Sequence, residues 1–284
     1  MANLSIALVY FSGTNVTHTY AEVIRETLLD EGCSVRSFNV TPYGSRQAGL
    51  SFDDDDGVLF GFPVFADFAP SVINEWLPTL KGQGKKCALF LTYGARTTGY
   101  AHFHTKLLLE RAGFQVLFSA EFLGRHSFNV GGWRVIPDRP NAEDFVVARE
   151  YARLAMERFA SDAPAAFRLQ KPFGYNQVIA ALEHEPEVTE RQWRNPVRIP
   201  EGCSMCRQCE VECPTRAFDA DTGLSDPRTC LGCMHCVWIC PDHALRVDAM
   251  GAVYAAFLEN WHLTEDMMRS KKSRIITESW QAAF

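Results

Sequence analysis

Eight cysteines crowd into the 38 residues from Cys203 to Cys240 of a 284-residue chain. They form two runs of one pattern. Cys203-x2-Cys206-x2-Cys209-x3-Cys213-Pro214 returns 27 residues later as Cys230-x2-Cys233-x2-Cys236-x3-Cys240-Pro241, and Ala217 and Ala244 trail the two copies at the same offset. A cubane iron–sulfur cluster needs four thiolates around it, and cysteines spaced by two residues on a turning backbone can bring three sulfurs to one cluster. Zinc is the competing reading, because Cys-x2-Cys pairs also build zinc sites, but those sites separate their pairs by a longer loop. His235 lies between two of the candidate ligands and is read as a packed or exposed residue, since no ligand position is vacant. From Val197 to Asp248 five arginines stand against eight Asp and Glu, a net charge of −3 that disfavours added electrons.

This segment resembles bacterial-type ferredoxin domains, and both motifs match without insertion or substitution. The resemblance implies a small α+β ferredoxin-like 2[4Fe–4S] domain over residues 198–248, in which the fourth cysteine of each run crosses to the other cluster. Cys203, Cys206, Cys209 and Cys240 are then expected to hold one cluster, and Cys230, Cys233, Cys236 and Cys213 the other.

A second constellation lies near the start of the chain. Ser12-Gly13-Thr14-Asn15-Val16-Thr17 ends an apolar run and opens a helical pattern. Free backbone N–H groups at a helix N-terminus attract phosphate, and the hydroxyls of Ser12, Thr14 and Thr17 add donors. The loop contains no lysine or arginine, so it is not the Gly-Lys-Ser/Thr phosphate loop of nucleotide hydrolases. Two further loops carry aromatics and small residues: Gly61-Phe62-Pro63-Val64-Phe65-Ala66-Asp67-Phe68, and Thr92-Tyr93-Gly94-Ala95-Arg96.

The elements around these loops alternate. Short apolar, β-rich runs at Ser5–Phe11, Ser34–Phe38, Gly57–Phe62, Cys87–Thr92 and Gln115–Phe122 are predicted strands. Helical periodicity occupies Val16–Glu31, Pro70–Leu80, Tyr100–Ala112 and Ala142–Phe159. Such alternation predicts an α/β, doubly wound five-stranded parallel sheet over residues 1–160, with ligands beyond the carboxyl ends of its strands. All three loops lie there. Residues 161–197 read as a linker with one short helix near Tyr175–Leu182. Residues 249–284 read as a helical tail with Val253, Tyr254, Phe257, Leu258 and Trp261 at helical spacing. The basic cluster after it, Arg269, Lys271, Lys272 and Arg274, reads as solvated surface.

The first loop resembles the flavodoxin phosphate loop, Ser/Thr-x-Thr-Gly-Asn-Thr, at Ser12, Thr14 and Thr17, with Asn15 where glycine is usual and Val16 where asparagine is usual. The resemblance implies a flavodoxin-like domain binding FMN. The expected contacts are Ser12, Gly13, Thr14, Asn15, Val16 and Thr17 at the phosphate, and Pro63, Val64, Phe65, Thr92, Tyr93, Gly94 and Ala95 at the ring. Phe65 and Tyr93 are the expected stacking residues, with Phe68 as alternate. Arg125-His126-Ser127-Phe128 is a candidate rim. The order of modules resembles flavodoxin–ferredoxin fusion proteins of anaerobes. That implies an electron-transfer role with redox partner proteins: a ferredoxin or reductase, and a low-potential acceptor enzyme. The alternative is an FMN-dependent reductase of a small molecule, with Tyr93, His102, His104 and His126 as candidate proton donors; no catalytic residue is assigned.

Bulk composition is consistent with this. Hydrophobic residues make up 47% and charged residues 22%, ordinary for a globular chain. A net charge of −6 gives no sign of a nucleic-acid partner. No apolar run is long enough to span a membrane, and the start lacks a basic region and a cleavage site, so a cytoplasmic location is expected, where ten cysteines stay reduced. Cys33 and Cys87 are expected to be buried structural thiols.

Overall fold

The strands are apolar on both faces because both faces of the sheet are covered. β1 (Ser5–Tyr10), β3 (Gly57–Pro63), β4 (Lys86–Tyr93) and β5 (Gln115–Leu123) are buried along nearly their whole lengths, whereas β2 (Ser34–Asn39) is an exposed edge. The computed structural model describes residues 3–184, 195–247 and 250–277. Residues 185–194 of the predicted linker, the domain boundary at Asp248 and the last residues of the tail lie outside the described residues.

The strand order is β2-β1-β3-β4-β5, all parallel, which is the doubly wound, flavodoxin-like order. Helices α1 (Val16–Asp30) and α4 (Ala142–Ala160) cover one face, burying Tyr20, Ile24, Leu28, Tyr151 and Ala155 against Leu8, Phe90 and Phe122. Helices α2 (Ser71–Trp76) and α3 (Ala101–Arg111) cover the other, over Val9, Phe60 and Leu89. α4 starts where Asn141 and Asp144 form a reciprocal capping box. Cys33 and Cys87 are buried in these cores.

The connecting segment is less loose than its proline content suggests. Phe167 packs into the core beneath α2 and α3. Helix α5 (Tyr175–His184) follows, and the Tyr175 hydroxyl lies 2.7 Å from His104 Nδ1.

The cysteine segment builds two short antiparallel pairs, β6 (Val197–Arg198) with β9 (Leu245–Arg246) and β7 (Phe218–Asp219) with β8 (Leu224–Ser225), plus helices α6 (Gln208–Val211) and α7 (His235–Ile239). The sequence repeat is also a repeat of backbone. Met205 and Gly232, Arg207 and Met234, and Arg216 and His243 all have positive φ, each pair 27 residues apart. The left-handed residues at Arg207 and Met234 turn the chain from an extended run into α6 and α7, so successive cysteines face one point.

The tail carries an element that the sequence reading missed. After α8 (Gly251–Asn260) and α9 (Glu265–Arg269), β10 (Arg274–Ile276) adds antiparallel to β5 as a sixth strand. Part of the basic cluster is therefore structural. Arg274 Nε donates to Glu121 Oε1 at 2.7 Å, and the Lys271 ammonium donates to the Arg96 carbonyl. Ser273 Oγ donates to buried Asp144 at 2.6 Å and accepts from the Leu123 N–H at 2.9 Å. Arg139 ties Asp144 to the Lys271 carbonyl. A three-residue strand is too short to show alternation, and only the buried carboxylate of Glu121 explains the cation opposite it.

Candidate functional site

The three loops at the strand ends meet around one cavity of about 400 Å³. Ser12, Gly13, Thr14, Val16 and Thr17 line one end; Pro63, Val64, Phe65, Thr92, Tyr93 and Gly94 line the middle. Of the expected contacts, Asn15 and Ala95 do not line it. Asn15 takes φ 66°, a left-handed turn that this residue tolerates. Its Oδ1 accepts from His18 Nδ1 at 2.8 Å. Ala95 is fully buried behind the loop with φ 59°. Val16 packs its side chain against Gly124, where an added Cβ would lie 2.2 Å from a Val16 methyl.

The hydroxyl-lined end is held rigidly. The Ser12 N–H donates to Thr41 Oγ1 at 2.8 Å, Ser12 Oγ accepts from the His18 N–H at 3.1 Å, and the Thr17 and Thr92 hydroxyls pair at 2.8 Å. Phe65 sits at the base of a two-residue turn in which Ala66 and Asp67 have positive φ, with Phe65 and Phe68 exchanging backbone hydrogen bonds of 2.7 and 3.1 Å. That geometry turns Phe68 out of the cavity and onto Tyr100, with ring centroids 5.3 Å apart. Burial pushes the Tyr93 phenol well above its ordinary value, so it stays a neutral ring.

The Arg125–Phe128 segment lines the cavity along all four residues. His126 stacks on Trp133 at 4.7 Å, and Phe257 lies 4.8 Å from the same indole. Trp133, Phe257 and Trp261 complete the wall, and the Arg96 guanidinium sits 4.1 Å over the Trp261 ring while pairing with Asp67. The tail thus roofs the cavity. Trp133 was not singled out by sequence; its Nε1 is buried with no hydrogen-bond partner among the described residues. The Gly131-Gly132 pair before it was the available signal. Two of the four candidate proton donors stand elsewhere. His102 is fully buried with Ser119 and Glu121, and His104 is engaged by Tyr175. Tyr93 and His126 reach the cavity.

The eight clustered cysteines divide between two small cavities. Cys203, Cys206, Cys209 and Cys240 line one; Cys213, Cys230, Cys233 and Cys236 line the other. Among the described residues no three His, Cys, Asp or Glu side chains converge closely enough for a single ion. A cubane holds its four thiolates farther apart than a single ion does. The two sets differ in exposure. Cys206 is exposed, whereas Cys213 and Cys233 are buried, and burial pushes the Cys233 thiol up to about 12 and Cys236 well above its ordinary value. Bound iron is what would keep such thiolates ionised.

The buried set docks directly on the hydroxyl-lined loop. His235, beside Cys236, is 8% exposed and donates from Nδ1 to the Gly13 carbonyl at 2.9 Å. An added Cβ on Gly13 would stand 2.6 Å from the Cys233 carbonyl oxygen, so only glycine permits this approach. Leu231 and Gly232 line the large cavity itself. Arg125 lies 4.4 Å over the Trp238 ring and Arg216 lies 4.3 Å over Tyr43, pinning the two units from both sides.

Comparison with known proteins agrees with the cysteine reading. The family model of the 4Fe-4S dicluster domain matches residues 195–250. A polyferredoxin-like subunit of aliphatic sulfonate oxidoreductase from Pyrococcus furiosus is 38% identical over 22% of this chain, and the match spans 43% of that protein. Among solved structures, the Flv1 flavodiiron core of Synechocystis sp. PCC6803 is 20% identical with a TM-score of 0.42, covering 55% of this chain and 36% of that one. A flavodoxin from the domain Archaea is 17% identical with a TM-score of 0.41, covering 56% of this chain and all of its own. Residues 195–250 are a 4Fe-4S dicluster domain fused behind a flavodoxin-like sheet; the sheet assignment rests on the strand order. No helix among the described residues is long and apolar enough to cross a membrane.

Proposed function

We propose that the chain is an electron-transfer flavoprotein, with Cys203, Cys206, Cys209 and Cys240 holding an outer [4Fe–4S] cluster, Cys213, Cys230, Cys233 and Cys236 an inner one, and the large cavity FMN. When bound, the clusters exchange single electrons and a flavin one or two, so the assembly joins single-electron carriers to a two-electron user. The single observation carrying this reading is the His235–Gly13 contact, which seats the inner cysteine set on the loop that would hold the phosphate.

The residues fit an FMN-sized ligand. The volume lies within the range of small-molecule sites. Neutral hydroxyls and backbone N–H groups at the start of α1 offer donors to a phosphate, and the orphaned Trp133 Nε1 offers one to a ring carbonyl. Phe65 and Tyr93 supply faces for the ring. The exposed Cys206 side is where a carrier protein would approach, and Glu210, Asp221 and Asp242 nearby favour a partner with a basic face. The partner is read as a ferredoxin or reductase on one side and a low-potential enzyme on the other, in the cytoplasm.

Direct action on a small molecule has less support. Phe257 and Trp261 close the cavity from above, and His102 and His104 are committed to other contacts. Anaerobic purification with iron, sulfide and flavin quantitation tests the proposal. Expected contents are about eight iron atoms, at four per cluster, and one FMN per chain. Zinc in place of iron, or well-folded protein that refuses FMN, would overturn it.

A further inference from the structure

Arg46 is a buried cation beside the inner cysteine set. It is 8% exposed, in the loop after β2, and its guanidinium is spent on main-chain carbonyls. Nη1 donates to Val40, Thr41 and Pro42, and Nη2 crosses to the carbonyl of Pro214, the residue after Cys213. Among the described residues no carboxylate lies within 4.0 Å of it. Glu75 is the carboxylate whose charge reaches it, alongside Tyr43 and the thiols of Cys213 and Cys233. Burying a charge without a counter-ion is costly. Four carbonyl dipoles offset part of that cost, but they do not cancel the net charge.

The outer set is treated differently. Arg207 is spread between Asp221 and Glu210 at the surface, and Arg198 lies in the field of Asp221. Asp242 holds the Ser204 N–H and hydroxyl. Arg207 is matched by carboxylates and screened by water, while Arg198, at the half-exposed rim, donates to the Ala220 and Asp221 carbonyls.

We infer that Arg46 is a positioning residue of the inner cluster: contributed by the flavodoxin-like unit, its buried charge, in contact with no carboxylate, raises that cluster's reduction potential, so the value is set only when the two units are docked. The inference rests on the cluster assignment above. The physics is direct. A thiolate-ligated cubane becomes more negative on reduction, so a fixed buried cation stabilises the reduced state more than the oxidised one, and net charge and hydrogen bonding are the established levers on these potentials.

The test is an anaerobic redox titration of the full chain followed by electron paramagnetic resonance, with the inner signal assigned from Cys206→Ala protein. Arg46→Gln is expected to lower the inner reduced-to-oxidised ratio at fixed potential about tenfold, 59 mV for one electron, with the outer cluster unmoved. Arg46→Lys, which keeps the charge, should restore most of it. Tyr43→Leu, which removes the Arg216 contact and keeps Arg46, should leave both clusters in place. If Arg46→Gln does not load with iron, Glu75→Gln gives the same readout with opposite sign. An unmoved inner potential in Arg46→Gln, or in Glu75→Gln, or a shift in Tyr43→Leu as large as that in Arg46→Gln, overturns the inference. Iron-free wild-type protein would instead sink the cluster assignment itself.

Discussion

His235 Nδ1 stands 2.9 Å from the carbonyl of Gly13, joining the inner cysteine run to the loop that opens α1. It seats the inner cysteine run on that loop beside the close approach of Gly13 to the Cys233 carbonyl. Gly13 has no side chain, and His235 is held neutral by burial, which lowers its affinity for a proton. A neutral ring with its proton on Nδ1 is the form that can donate to a carbonyl while adding no charge beside the cluster.

Gly13→Ala places a Cβ 2.6 Å from the Cys233 carbonyl oxygen. Backbone meets backbone there, so relief requires the docked units to separate. A cost of about 1–3 kcal/mol is expected, as for overpacked sites. Flavin titration by fluorescence should show FMN bound about tenfold or more weaker, with iron content retained. Affinity equal to wild type would mean the units do not sit as described.

Trp261→Ala opens the roof. The substitution removes the stack on Arg96, 4.1 Å away, which contributes on the order of 0.5–2 kcal/mol. Iodide quenching of bound flavin should rise clearly, while thermal stability changes by no more than a few degrees. Unchanged quenching would show that the ring is not beneath the tail.

Asp144→Ala strips partners from buried Arg139 and from Ser273 together. Leaving a buried guanidinium uncompensated costs about 3–5 kcal/mol. A large drop in the thermal unfolding midpoint is expected, with detachment of β10 visible as lost amide protection at Arg274–Ile276. Protection surviving there would mean the tail strand is held by other contacts.

Burial and the charge of Arg111 lower His104 from 6.5 to about 4. The unfolded chain therefore takes up the proton first as pH falls. The stability linked to this residue is complete above 6.5 and is lost as pH falls toward 4. Denaturant unfolding at stepped pH should show His104→Gln with a shallower decline across that window than wild type. Parallel declines would remove His104 from the account.

The cysteine chemistry was legible because it is local. Spacing within a run of eleven residues, Cys203 to Cys213, dictates where the thiols can point, and the left-handed turns at Arg207 and Met234 carry the repeat into the backbone. The parallel strands were legible because burial on both faces leaves continuous apolar runs. What lay beyond reach was tertiary. Nothing near Trp133 in sequence announces that Phe257 will cover it, and Arg46 reads as one more loop arginine until Pro214 arrives across the unit boundary. The strand at Arg274 is legible only with Glu121 in view, because the buried carboxylate creates the demand that the cation meets.

The most direct test of the relay is stopped-flow reduction of bound FMN by a reduced one-electron carrier protein, comparing wild type with Cys206→Ala. Loss of Cys206 should remove the exposed outer cluster, leave the buried inner one and the flavin in place, and slow flavin bleaching at least about tenfold. Flavin reduced as fast in Cys206→Ala, with the outer cluster verified as absent, would contradict the account.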